Sequence, residues 1–194
     1  MKKNIGLYFG SFNPIHIGHV IIANYLAEFT DLDEVWLVIS PQSPFKKRAT
    51  LLENHHRFEL VYRAVEGFDK LKASNIEFDL PTPNYTAKTL CVLAEKYPDY
   101  HFSIIMGEDN LRSFHKWKNY EYILAHHDIY VCPRLGETKI NETFLKHPHI
   151  HFTKTPIMEI SASLIRNAIK EGKNIETMLP TPVWKYIDEM NFYR

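Results

Sequence analysis

Short, mostly apolar runs alternate along this chain with longer segments in which apolar side chains return every three or four residues. The runs Ile5–Phe9, Glu34–Ile39, Leu71–Phe78, His101–Met106, Asp128–Cys132 and His149–Phe152 have strand length. Because they lack a regular polar face, they read as strands covered on both sides. Between them, Gly18–Phe29, Leu52–Val65, Thr86–Lys96, Tyr120–Ala125 and Ser161–Glu171 have helical period, and a last helix near Pro182–Met190 is opened by proline. This alternation predicts an α/β fold, a Rossmann-like doubly wound parallel sheet with helices on both faces. Ligands of such sheets lie at the carboxyl ends of the strands, so the loops after strands one, two, four and five are expected to line one cleft. No repeat, low-complexity tract or linker interrupts residues 1–194, which read as one domain with 161–194 as a C-terminal helical portion.

Composition narrows the function by exclusion. With 23 basic and 23 acidic side chains the formal charge is zero, so no global field gathers nucleic acid or a membrane surface. An anionic ligand must be met by local charge. Cys91 and Cys132 give neither a Cys-x-x-Cys pair nor a disulfide framework, which fits a reducing cytoplasm. The apolar stretch behind Met1-Lys2-Lys3 is broken at Gly10, too soon for a signal peptide or a membrane span. A cytoplasmic protein that binds neither nucleic acid nor membrane is expected. Self-association stays open.

The candidate chemistry begins where the first strand ends. Gly10-Ser11-Phe12-Asn13-Pro14-Ile15-His16-Ile17-Gly18-His19 reads as strand, tight loop and helix start, the place where an α/β protein holds phosphates. Gly10 allows close approach of a ligand to the backbone, Pro14 stiffens the turn, and Gly18 clears the helix entrance. His16 and His19, three residues apart, can face one ligand. A zinc site would need a carboxylate or cysteine at matching spacing, and none is near. Behind the second strand, Pro41 to Arg48 joins two prolines to three successive cations, among which Lys46 is the candidate for a phosphate. Ile160-Ser161-Ala162-Ser163-Leu164-Ile165-Arg166 opens a helix whose first N–H groups lack partners, so Ser161 either caps it or joins those donors around an anion. Arg166 lies on the same side as Ser163.

The histidine loop resembles the His-x-Gly-His motif of the nucleotidyltransferase superfamily, and Ile160 to Arg166 is similar to its Ile-Ser-x-x-x-Ile-Arg motif. Asn84-Tyr85-Thr86-Ala87-Lys88-Thr89-Leu90, Met106 to Trp117, Val131 to Gly136 and Leu179 to Ile187 together resemble the bacterial nicotinate-nucleotide adenylyltransferase family over nearly the whole chain. Two positions depart from it: Phe9 replaces a further glycine, and Asn13 the usual aspartate. The resemblance implies transfer of AMP from ATP to nicotinate mononucleotide, with magnesium bridging phosphate oxygens and few protein ligands for it. It implies that His16, His19 and Arg166 are catalytic. Gly10, Ser11, Phe12, Gly18, Gly107, Asp109, Ser161 and Ser163 would bind ATP, so that 161–194 completes the ATP site. Lys46, Tyr85, Thr86 and Trp117 would bind the mononucleotide: Trp117 by stacking, the Tyr85-Thr86 helix start through N–H groups that receive the ring carboxylate.

Other readings remain. Phosphopantetheine adenylyltransferase or a cytidylyltransferase would share both phosphate motifs, and a silent nucleotide-binding module would keep the fold without turnover. Read alone, Trp117 is a core residue and Thr86 a helix cap. His55-His56 and His126-His127 are adjacent pairs that cannot both face one metal, whereas His147, His149 and His151 alternate and share a face near a strand edge, where any metal binding would be adventitious and a structural role is the expected one.

Overall fold

The computed structural model describes residues 2–41, 51–136 and 139–194. Its centre is β1 (Lys3–Gly10), flanked by β2 (Glu34–Ile39) and β4 (Tyr100–Gly107), with β3 (Leu71–Ser74), β5 (Ile129–Cys132) and β6 (Ile150–Phe152) completing a sheet of order β3-β2-β1-β4-β5-β6. All pairings are parallel, with Leu7 opposite both Trp36 and Ile104. Every residue of β2 is buried, as a strand covered on both faces requires.

Two apolar layers cover the sheet. One receives α1 (Ile17–Phe29) and α2 (Asn54–Val65), together with α7 (Ala162–Lys170) and α8 (Thr181–Glu189), through Leu26, Leu60, Ile165 and Val183. The other receives α3 (Thr86–Lys96), α4 (Glu108–Arg112), α5 (Tyr120–His126) and α6 (Glu142–Leu145), through Leu90, Leu111, Ile123 and Phe144. The chain therefore leaves β1 toward one face and β4 toward the other. The gap between those departures is the switch point at which doubly wound sheets bind ligands.

One strand is shorter than its pattern. Leu71–Phe78 reads as a strand, yet β3 stops at Ser74, because the chain turns at Asn75 and Phe78 N–H donates to the Asn75 carbonyl at 2.8 Å. The apolar side chains Ile76 and Phe78 pack on the two layers from this turn instead of from a strand. Among the described residues no helix is long and apolar enough to cross a membrane.

Candidate active site

At the carboxyl end of the sheet lies a cleft of about 1200 Å³, lined from the loops after β1, β2, β4 and β5 and from the approaches to α3 and α7. All the site residues expected from sequence line it except Lys46, which falls outside the described residues.

The loop after β1 has an unusual backbone. Phe12 sits at φ 42°, in the left-handed region that a bulky side chain rarely adopts. Its ring packs on Gly10, where a Cβ would lie 2.7 Å from it, so Gly10 makes room for Phe12, and it also lines the cleft. The same ring meets Tyr8 and His19 edge-on, at 5.9 and 5.1 Å between centroids. Packing thus over-determines a strained residue, a pattern typical of functional loops. The Ser11–Phe12 peptide is trans, and its carbonyl accepts from Arg57 at 2.6 Å. A planar trans peptide then turns the Phe12 N–H away from Arg57, and no described residue accepts it.

His16 is the N-cap of α1 and stacks on His19, with centroids 3.7 Å apart. The His16 backbone N–H donates to His19 Nδ1 at 3.3 Å. That bond leaves the proton of a neutral His19 on Nε2, making Nε2 a donor. Burial, helped by the Arg134 charge, pushes the His16 imidazole down to about 4, so it is neutral at pH 7. The His16 side chain faces the His19 backbone N–H as half of a capping box, and no described residue gives the buried Nδ1 a full hydrogen bond. Gly18 lets this ring pack against the helix start, since a Cβ there would lie 3.1 Å from Nδ1.

Across the cleft, Ser161 caps α7, accepting from the Leu164 N–H at 3.2 Å, and also lines the cleft. Arg166 bridges outward, donating to the Asn13 carbonyl at 2.7 Å and to Ser163 Oγ at 3.2 Å. Asn13, one of the departures, is buried, and its Oδ1 accepts from the Leu52 N–H at 3.2 Å and from Tyr193 Oη at 2.9 Å. It ties the histidine loop to the C-terminal portion.

The α3 end is different in kind. Tyr85 is the N-cap, Thr86 is the first helical residue, and no side chain caps the helix. Among the described residues nothing accepts the Thr86 or Ala87 N–H, so this eleven-residue helix presents bare donors and the positive end of its dipole to the cleft. Trp117 packs against Phe114 at 5.4 Å between centroids while also lining the cleft. It is thus partly a core residue, and the rest of its surface faces the cleft. Lys118 Nζ lies 4.6 Å from the Tyr85 ring centroid.

Several lining residues escaped the sequence reading. Arg134 follows β5, pairs with Asp109 at 3.3 Å and donates its backbone N–H to Glu108 at 3.1 Å. The signal for it was present, since it is the cation on a loop already placed at the cleft. Gly107 leaves room for that pair: a Cβ there would collide with Asp109 and lie 2.8 Å from Arg134 Nε. Glu77 and Asn84 are 2% and 8% exposed. Glu77 accepts from Thr89 Oγ1 at 2.7 Å, and burial pushes its carboxyl up. Among the described residues, Glu77 Oε2 and Asn84 Oδ1 have no hydrogen-bond partner.

Comparison with known proteins agrees with this geometry. The family model described as cytidylyltransferase-like matches residues 7–168. A relative from Christiangramia forsetii, described as "Probable nicotinate-nucleotide adenylyltransferase", is 58% identical over 194 residues and covers 100% of both chains. One from Flavobacterium psychrophilum with the same description is 59% identical over 190 residues, covering 98% of each. Among solved structures, the Plasmodium falciparum nicotinic acid mononucleotide adenylyltransferase complexed with APC aligns with a TM-score of 0.79 at 24% identity, over 98% of this chain and 97% of that one. At that identity the match speaks for the fold.

Proposed function

We infer that this chain, which belongs to the cytidylyltransferase-like family, transfers AMP from ATP to nicotinate mononucleotide, giving deamido-NAD and pyrophosphate. The observation that carries the reading is that the histidine loop, the uncapped start of α3 and Trp117 line one cleft.

In this reaction a phosphate oxygen of the mononucleotide attacks the α-phosphorus of ATP in line, and the bond from that phosphorus to the β-phosphate bridging oxygen breaks. The nucleophile is already an anion, so no general base is required. Catalysis consists of holding two repelling polyphosphates together and stabilising charge as it shifts to the leaving oxygen. His19 Nε2–H and the Phe12 N–H are the donors assigned to the reacting phosphates. His16, neutral in its buried setting, acts as a dipolar group rather than a cation. Arg166 and Ser163 are assigned to the β- and γ-phosphates, Asp109 to ribose hydroxyls, and Lys46 to the acceptor phosphate.

A divalent cation accompanies ATP in such transfers, and magnesium is our assignment. Among the described residues no group of three or more His, Cys, Asp or Glu is placed to hold a metal ion. Asp109, a cleft carboxylate, is engaged with Arg134. This donor set fits a cation carried on phosphate oxygens and water, the usual habit of magnesium.

The test is a pyrophosphate-release assay with ATP and either nicotinate or nicotinamide mononucleotide. The uncapped N–H groups at Tyr85-Thr86 make charge-assisted bonds to a carboxylate, whereas the amide presents one oxygen and a repelled NH₂. We expect the acid to be used at least about tenfold more efficiently, and Trp117→Ala to weaken both substrates with little change in their ratio. Equal use of the two mononucleotides would remove the ring carboxylate from the helix start.

A further inference from the structure

Arg57 is the largest of the fully buried side chains, at 0% exposed, and sits on α2 behind the cleft. Its guanidinium donates from Nη1 to the carbonyls of Ser11 at 2.6 Å and Ser40 at 2.9 Å, and from Nε to the Leu52 carbonyl at 3.0 Å. Nη2 completes the set with the Pro41 carbonyl at 3.4 Å and Asn54 Oδ1 at 2.7 Å. No carboxylate takes part, and Arg57 forms no ion pair among the described residues. A buried cation with no carboxylate in contact, only the more distant charge of Glu53, is an expensive way to join backbone to backbone. A neutral side chain lacks five donors in a rigid fork, and a lysine has only three on one atom.

What the fork joins is specific. Ser11 belongs to the histidine loop, Ser40 and Pro41 to the exit of β2, and Leu52 and Asn54 to the entrance of α2. The geometry points to Arg57 as a positioning residue for adenylyl transfer: by drawing the Ser11 carbonyl inward it holds Phe12 in its left-handed conformation with the N–H aimed away from the core, and it fixes this loop against the β2 exit. It touches no substrate. Its effect passes through the placement of Phe12 and His19, and it leaves the Tyr85-Thr86 helix start on the other layer untouched.

The inference rests on the adenylyl-transfer reading, and the experiment separates the two. Wild type, Arg57→Lys and Asn54→Ala are compared in the pyrophosphate-release assay with ATP and nicotinate mononucleotide, alongside thermal unfolding. Displacement of reacting groups by about 1 Å costs about a hundredfold. Arg57→Lys, which keeps the charge but not the fork, is expected to lower kcat by about ten- to a hundredfold. KM for the mononucleotide should stay within about threefold, because its ring site is elsewhere. Asn54→Ala, which frees one arm, should lower kcat by about threefold with the same KM, so the proposal is readable even if the lysine variant folds poorly. Combined with His19→Ala, Arg57→Lys should cost less than about threefold further, since both act on one loop. Inactive wild type would overturn the adenylyl-transfer reading. Active wild type would leave that reading intact, and three results would then overturn the role of Arg57: a folded lysine variant with unchanged kcat, a proportional loss of kcat and mononucleotide affinity, or full additivity with His19→Ala.

Discussion

The two ends of the sheet treat their buried polar groups in opposite ways. At the amino end, Glu34 is 6% exposed and fully engaged: Lys3 donates to it at 2.6 Å, Lys72 at 2.7 Å and Trp36 Nε1 at 2.8 Å. Asp128, at the start of β5, accepts from His151 at 2.9 Å, His149 at 3.1 Å and His101 at 3.3 Å. At the carboxyl end, His16 Nδ1, Glu77 Oε2 and Asn84 Oδ1 are buried without a full hydrogen bond from any described residue, and all three residues line the cleft. Native proteins leave few such groups, because each costs about 1–3 kcal/mol. Their concentration at one end marks the part of the molecule completed by something other than itself. The same sheet is closed by its own charges below and left for a ligand above.

The largest expected effect breaks function without touching the fold. His19→Ala removes the donor we assign to the reacting phosphates and should lower kcat by about a hundred- to a thousandfold, with an unfolding midpoint close to wild type because His19 is only half-buried. A well-folded variant of near wild-type turnover would sever the histidine loop from catalysis.

Next comes a stability effect confined to the cleft. The folded His16 imidazole has its pKa lowered from 6.5 to about 4 by burial and Arg134. As pH falls through 6.5 the unfolded chain takes up this proton first, so stability is lost between pH 6.5 and about 4, then levels. The loss is up to about 3 kcal/mol. Urea titrations across that window should slope for wild type and flatten for His16→Gln. Parallel slopes would mean that the ring is charged in the fold.

The contrast between the ends was only half legible in sequence. The strands were, because a doubly covered parallel strand is written as an apolar run, and α3 matches its predicted Thr86–Lys96 bounds residue for residue. The helices α4 and α6, of five and four residues, are too short to show a period. The histidine loop and the serine–arginine segment declared themselves by residue type and spacing. Arg57 did not, since His55-His56-Arg57 on a helix reads as a solvated face, and only packing shows that its five donors turn inward. Glu77 was hidden for a related reason: it lies within an apparent strand that the structure replaces with a turn.

Glu34→Ala should do the reverse of His19→Ala. It leaves the buried Trp36 Nε1 without an acceptor, while Lys3 and Lys72, 38% and 51% exposed along their side chains, turn to water. A loss of about 2 kcal/mol in chemical denaturation is expected, with kcat unchanged. Burial alone would push the Glu34 carboxyl up, but the bonds from Lys3, Lys72 and Trp36 outweigh it and hold the group below its ordinary 4.5. Its contribution is therefore complete above pH 4.5 and fades as pH falls through the folded value.

The smallest effect belongs to Asp128. Burial pushes this carboxyl up, and hydrogen bonds from His151, His149 and His101 more than reverse that, leaving it below 3.8. By the same sign, its stabilisation is present above pH 3.8 and is lost as pH falls from there through the depressed folded value, below the window in which His16 acts. The three imidazoles are 40–43% exposed along their side chains, so water screens the cluster and limits its worth to about 1 kcal/mol or less. Asp128→Asn keeps one acceptor oxygen and loses the charge. It should cost no more than that in urea unfolding at pH 7, less at high salt, and leave kcat and both KM values unchanged. A fall in kcat with stability preserved would mean that the amino end takes part in turnover, and the division of the sheet into a self-satisfied end and a ligand-completed end would fail there.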